Sequence, residues 1–578
     1  MLRARIGPRF LRTCPPIRTG SNLPQHRWHS TKPNLPPSGR RPRLILGFLG
    51  GTALLSTSLI YADSVTADPT ADSLPALLRA YVVYSMCSIP TLVDNAPALL
   101  RLADLPVPGA RWLVESLVRA TFFNQFVGGD TAQETLPVLS RLRAANKGAL
   151  FAYSVEVDEA HAMAGTSSSN SADSSPHERI VEEMIRCIDI AADFEDGLED
   201  KGPGARKTWV AVKMSALVPD ANALVKLSKH ILTSRPPSPI PFPGSPHPSD
   251  LDILSTSSPT HPNTGLTPSD LAALRTLHTA LRRICTRAAS RGVRIIVDAE
   301  YTWYQPAIDA LTLALTREFN VHQPLVYGTY QAYLRRTPSH LAQALADAKQ
   351  GGYSLGVKLV RGAYHSHELA AAESSGDRNV ATSISPDPAL PVWVVKQDTD
   401  ACYDACVGVL LRAVADDLRD ASPASSSSSF WSWWSQSSTA AEEATTPGLG
   451  VLFGTHNWTS TSVILDELVR SGLTHDDPNT TNGKVHIPDE VTTRVAMGQL
   501  YGMADDLTDY LAAHTTCSTP FVIKYVPYGV LSEVMPYLSR RATENRSVLG
   551  EGGAARERAR AGREIWRRVR GAVGFGAE

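Results

Sequence analysis

Between positions 149 and 525 the chain alternates short apolar runs with longer amphipathic ones, and that rhythm is the tightest constraint on its fold. The apolar runs fall at 149–155, 208–214, 293–298, 324–330, 354–360, 450–454, 495–500 and 521–525. Segments such as HERIVEEMIRCIDIAADFE, DLAALRTLHTALRRICTRAASR and DTDACYDACVGVLLRAVADDL lie between them, with apolar residues spaced as on one face of a helix. Eight strands separated by helices predict an α/β chain folded as a (β/α)8 barrel, where chemistry collects at the C-terminal ends of the strands. Ahead of the barrel, residues 74–145 carry helical spacing broken by Pro and Gly, which predicts an N-terminal helical region over 62–147.

Three stretches interrupt the rhythm of the barrel, expected over 148–549, and read as inserts. They are Ser-rich 165–176, Pro/Ser-rich 234–268, and 422–447, which holds the cluster Trp431, Trp433 and Trp434. Such compositions bury little, so they are expected as loops or excursions. A basic helix or tail is expected over 550–578.

Charge is balanced, 56 Lys+Arg against 57 Asp+Glu, and gives no polycationic footprint for nucleic acid. The balance fails locally: residues 1–62 hold no acid but ten Lys or Arg, the composition of a mitochondrial transit peptide over 1–43. The uncharged run at 44–61 is about the length a membrane helix needs, and is a candidate anchor. Seven cysteines without a CxxC spacing argue against structural zinc, an iron–sulfur site or a disulfide framework.

The strand ends are polar and specific. Lys213, Asp298, Gln331, Lys358 with Arg361 and Tyr364, Thr455 with His456, and Tyr525 each close or follow a candidate strand. Singly, each has an ordinary structural role open to it; on successive strand ends they define a candidate site. After the last strand comes a helix in which Arg540, Arg541 and Glu544 share a face, and paired guanidiniums suit a carboxylate or phosphate. No GxGxxG or GxxxxGK[ST] loop and no HExxH motif is present, so neither a Rossmann domain, a P-loop nor a zinc hydrolase is indicated, and no metal ligands are assigned.

KLVRGAY at 358–364, YGTYQAYL at 327–334, THN at 455–457, QLYGMADDLT at 499–508, YVPYGVLSEVMPYLSRRATEN at 525–545, and VDAE at 297–300 with QPAID at 305–309 together resemble the proline dehydrogenase family. The resemblance implies a distorted (β/α)8 barrel, noncovalent FAD, oxidation of L-proline to Δ1-pyrroline-5-carboxylate, and electrons passed to ubiquinone on the matrix side of the mitochondrial inner membrane. It implies further that Lys213, Arg540 and Arg541 hold the substrate carboxylate and that Tyr364, Leu500 and Tyr525 wall its ring. Asp298, Gln331, Val360, Arg361, Gly362, Thr455 and His456 would lie along the FAD, with Asp298 and Lys358 as the catalytic pair. Lys358 stands where bacterial members usually carry Arg. An acid that gates the clamp is expected among Glu156, Asp158 and Glu159, and Glu544 either orients the clamp or touches the cofactor. Hydroxyproline oxidation is the alternative activity, disfavoured by the retained Tyr525; a catalytically silent scaffold is the alternative of another class.

Overall fold

Each of the eight apolar runs forms a strand, and the eight close into one parallel barrel. In chain order they are β1 Lys147–Tyr153, β2 Thr208–Val212, β3 Ile295–Val297, β4 Val326–Gln331, β5 Leu355–Val360, β6 Leu449–Gly454, β7 Val495–Leu500 and β8 Val522–Tyr528. Strands adjacent in sequence are adjacent in space, and β8 closes on β1 with Lys147 opposite Val522 and Tyr153 opposite Tyr528. The computed structural model describes residues 72–95, 109–154, 176–198, 206–255, 265–373, 383–421, 448–476, 484–546 and 553–572, all within the compact unit Leu59–Glu578. The leader 1–43, the run 44–61, Glu156, Asp158 and Glu159, and the Trp431 cluster lie outside the described residues.

Strands buried on both faces read as continuous apolar runs, and the pleat sorts their side chains. Outward-facing Phe151, Val210, Val212, Ile295 and Val297 pack beneath surrounding helices, as do Val357, Leu359, Val451, Phe453, Val495 and Met497 on the other side. Inward-facing Leu150, Trp209, Ile296, Tyr327, Leu452, Ala496 and Ile523 fill the barrel. The Trp209 and Tyr327 ring centroids lie 5.3 Å apart and form its plug. Gly356 and Gly450 make room for it: a Cβ at the first would come within 2.7 Å of the Tyr327 ring, and at the second within 2.3 Å of its hydroxyl. Apolar filling below leaves the polar strand ends facing open space above.

The helices that position the site are α1 Leu74–Cys87, α2 Leu136–Ala144, α3 Pro176–Asp196, α4 Pro268–Arg291, α5 Trp458–Arg470, α6 Asp505–His514, α7 Leu531–Arg546 and α8 Gly553–Ala572. Local sequence fixes several ends. Thr267 and Asp270 form a reciprocal capping box at the start of α4, and Gly292, at φ 64°, ends it. Asn457 caps α5 by accepting the Ser460 N–H, which ties the Thr455–His456 strand end to a helix start.

The helix after β8 is where the barrel is distorted. In α7, Tyr537, Arg540, Arg541 and Glu544, spaced i, i+3, i+4 and i+7, turn toward the strand-end cavity. Val534 and Leu538 instead join Ala80, Val83 and Tyr84 of α1 and Ala554 and Ala561 of α8 in a separate apolar cluster. Thus α7 is held over the barrel mouth by the two terminal helices. Part of the Pro/Ser-rich stretch is also built into the body: Phe242 is buried, Arg235 ion-pairs with Asp250, and the Arg336 guanidinium donates to the Gly244 carbonyl.

Candidate active site

A cavity of about 360 Å³ occupies the barrel mouth, and its wall includes Lys213, Asp298, Gln331, Lys358, Val360, Arg361, Gly362, Tyr364, Thr455, His456, Leu500, Tyr525, Arg540, Arg541 and Glu544. Every residue singled out from the sequence within the described part of the chain therefore faces one space. Closing the barrel brings together groups far apart in sequence: Leu500 of β7 and Leu150 of β1 both stand level with Tyr525 of β8.

Asp298 is the hub of the polar network. Lys358 Nζ donates to its Oδ1 at 2.6 Å and Tyr525 OH to its Oδ2 at 3.0 Å, so one carboxylate ties the ends of β3, β5 and β8. The ammonium also lies 5.3 Å from the centroid of the Tyr525 ring. Burial, with the adjacent Asp298 carboxylate, pushes the Tyr525 phenol well above its ordinary range and keeps it a donor.

Arg361 is held more firmly than the sequence implied. Nε donates to Asp400 Oδ1 (2.7 Å), Nη1 to Thr455 Oγ1 (2.8 Å) and Nη2 to Ser460 Oγ (2.7 Å), and the guanidinium sits 4.5 Å from the Tyr403 ring centroid. With each nitrogen engaged, it brings a fixed positive charge to the cavity wall.

The clamp face is arranged differently. Arg540 lies 5.2 Å from the Tyr364 ring centroid, and Arg541 lies 4.9 Å from that of Tyr537 and ion-pairs with Glu544. Arg541 is 3% exposed, and its Nε is buried without an acceptor among the described residues. Glu544 thus contacts Arg541 and also lines the cavity, which is compatible with either role its position in the sequence left open.

Several contributors went unassigned in the sequence. Glu300, two residues past Asp298, is 1% exposed and accepts the Ser215 N–H just beyond Lys213 at 2.9 Å. Burial raises its pKa, and Lys213 opposes that rise. Its signal was the acid in VDAE. Tyr537 also lines the cavity, and the spacing of α7 could have revealed it. Tyr153 lines the cavity too and donates to Glu533 Oε2 at 3.0 Å.

His456 carries a pH signature. Its Nε2 accepts the Leu500 N–H at 3.0 Å, and burial, reinforced by Lys524 and Arg541, pushes the imidazole down to about 3. Between the ordinary value of 6.5 and about 3 the unfolded chain binds a proton that the folded one refuses. Stability therefore falls as pH drops through that window, by at most about 1.4 kcal/mol per unit from this group. His456→Asn is expected to flatten the acid limb of unfolding free energy measured in denaturant at successive pH values. An unchanged slope would show that another group sets it.

Gly362 marks a close approach. It adopts φ 121°, and a Cβ would lie 1.5 Å from the Tyr333 ring. Gly362→Ala is expected to cost about 3 kcal/mol or more from strain and overlap, read as a lower thermal midpoint. Wild-type stability in this variant would refute the close packing of the cavity rim.

The wall suits a large polar cofactor. Gln331, 3% exposed, uses Nε2 on the Glu300 carbonyl and the Tyr333 hydroxyl, while its buried Oε1 has no partner among the described residues. An acceptor left unpaired in a cavity fits a ligand bearing an N–H donor, and Lys358 and Arg361 fit one with anionic groups. No group of three or more metal-ligating side chains occurs among the described residues.

A closed parallel barrel with cations, a half-buried carboxylate hub and aromatic side chains at the C-terminal mouth is the arrangement of a barrel enzyme's active site. The proline dehydrogenase family model matches residues 152–552, and the chain belongs to that family of oxidoreductases. Among its relatives, hydroxyproline dehydrogenase of Mus musculus is 30% identical over 504 residues, 86% of this chain and 91% of that protein. Mitochondrial proline dehydrogenase 1 of Arabidopsis thaliana is 28% identical over 497 residues, 85% and 82% of the two chains. The solved structure of proline utilization A from Bdellovibrio bacteriovorus, inactivated by N-propargylglycine, matches with a TM-score of 0.52 and 15% identity, covering 85% of this chain. This chain spans 40% of that longer protein, and the likeness shows the fold.

Proposed function

We propose that this chain is an FAD-dependent proline dehydrogenase that oxidises L-proline to Δ1-pyrroline-5-carboxylate and passes the electrons to ubiquinone. The observation that carries the reading is the convergence of Lys213, Arg540 and Arg541 on the same cavity as the Lys358–Asp298–Tyr525 network. Three cations neutralise and orient one carboxylate, and two of them stand on a helix held over the mouth. Tyr364, Leu500 and Tyr525 wall the ring of the substrate, while Asp298, Gln331, Val360, Arg361, Gly362, Thr455 and His456 hold the cofactor. The family is generally flavin-dependent, and FAD when bound supplies the acceptor for the hydride leaving the substrate ring. The protein places that ring, excludes water and keeps its charges fixed; Asp298 anchors the Lys358 ammonium, and Tyr525 remains a protonated donor.

Hydroxyproline is the second reading, because a hydroxyproline dehydrogenase is among the relatives at 30% identity. The Tyr525 ring, held by its bond to Asp298, would crowd a hydroxyl on a substrate ring packed against it, and this supports proline. We further propose that 1–43 targets the chain to mitochondria, that 44–61 serves as an anchor, and that the barrel works on the matrix side of the inner membrane. Mitochondrial relatives support the compartment, and among the described residues no helix is long and apolar enough to cross a membrane. Anaerobic titration with proline and then ubiquinone, following the flavin spectrum, tests the whole reading. Bleaching by proline and recovery with quinone are expected; a protein that cannot be loaded with FAD would end it. The ratio of kcat/KM for proline and hydroxyproline decides the substrate.

A further inference from the structure

A second cavity, of about 520 Å³, lies on the outer side of the same barrel wall. The pleat separates the two spaces: Leu500 and Tyr525 line the active-site cavity, while the adjacent Tyr501 and Lys524 line this one. Its charged lining comprises eight Lys or Arg side chains and four Asp or Glu, so the wall is strongly cationic. The four acids are already committed. Asp505 pairs with Lys524 at 2.7 Å, Asp509 with Lys147 at 2.6 Å, Glu564 with Arg567 and Arg568, and Asp72 with Arg560.

Three guanidiniums remain, Arg79 of α1, Arg141 of α2 and Arg563 of α8, and none forms an ion pair among the described residues. They come from three elements far apart in sequence. Among the described residues the Arg79 Nε is buried without an acceptor, so it has a donor to offer a ligand in this cavity. Burial is the main cause that lowers the pKa of Arg79; Tyr501 and Asp72 oppose the fall, and the like charge of Arg141 adds to it. Leu77, Val138, Leu142 and Ala145 supply an apolar floor. Beside it, Leu78 is 37% exposed, Tyr81 44% and Trp566 58%.

We propose that this cavity binds a phosphate group, carried either by a soluble metabolite or by a lipid headgroup, through Arg79, Arg141 and Arg563. A phosphate presents several acceptors to forked donors and relieves the mutual repulsion of the cluster. The apolar floor accommodates the rest of the ligand. The site is distinct from the clamp, whose Arg540 and Arg541 belong to the other cavity.

The test uses the purified full chain, titrated with inorganic phosphate at constant ionic strength. Saturable binding is expected in the wild type, and a loss of at least tenfold in affinity in Arg141→Gln and in Arg563→Ala. Both side chains are exposed at the surface, and retained flavin bleaching by proline serves as the folding control. Vesicles of phosphatidylcholine with and without phosphatidic acid separate the sources. Phosphatidic-acid-dependent binding, displaced by free phosphate and weakened in both variants, identifies a headgroup; phosphate binding without vesicle binding identifies a soluble ligand. No saturable phosphate binding, or binding undiminished in both variants, overturns the proposal.

Discussion

Arg541→Met should raise the KM for proline by at least about 30-fold while the protein keeps its fold. The guanidinium is 3% exposed and oriented by Glu544 on one side and the Tyr537 ring on the other. Its Nε lacks an acceptor, so part of its hydrogen-bonding capacity is unspent among the described residues. A buried cation held ready for a carboxylate contributes about 2–5 kcal/mol to binding it, about 30-fold to several thousand-fold in affinity. Met fills similar space without charge, so packing against Val534 and Leu538 on the opposite face should survive. Glu544→Gln should cost less, because Glu544 is 34% exposed and acts through Arg541. Steady-state kinetics against proline, with flavin content as the control, reads both. An unchanged KM in Arg541→Met would mean that the substrate carboxylate binds elsewhere.

The second large effect is expected at Lys358. Its ammonium is 11% exposed and the Asp298 carboxylate 20%, and they meet at 2.6 Å. Removing one member of a largely buried ion pair leaves the other uncompensated, at about 3–5 kcal/mol. In Lys358→Met that is a cost to folding stability, read as a lower thermal midpoint; separately, losing the cation at the cavity wall should slow anaerobic flavin reduction by proline about a hundredfold, a barrier increase of about 2.7 kcal/mol. Lys358→Arg should recover much of the rate, because it restores the charge beside Asp298. Stopped-flow reduction distinguishes the two variants. Equal rates in Lys358→Met and the wild type would remove Lys358 from the chemistry, and failure of Arg to outperform Met would mean that charge is not what the position supplies.

Much of this was written locally in the chain. The eight apolar runs each became a strand, because strands buried on both faces of a parallel barrel read as near-continuous apolar runs. The polar residues at their ends could be read as a site because every βα junction of a closed barrel opens on the same side. The shared face of Arg540, Arg541 and Glu544 followed from helical spacing alone. The family resemblance sharpened those positions into roles, and the placement of Tyr537 and Glu300 shows where the same patterns held more than was taken from them.

Sequence by itself determined which elements form and which chemistry each strand end carries, since strand and helix periods and side-chain type are properties of short segments. Only the tertiary structure decided the pairings. Tyr525 and Asp298 are 227 positions apart, yet share a hydrogen bond because the barrel is closed. Likewise, α7 sits over the mouth because α1 and α8, near opposite ends of the chain, bury its outer face. The Arg79, Arg141 and Arg563 cluster arises in the same way, from three helices far apart in sequence, of which only α8 reads as basic by itself. Contacts of that range depend on chain closure and on competition for apolar surface, which no local pattern encodes.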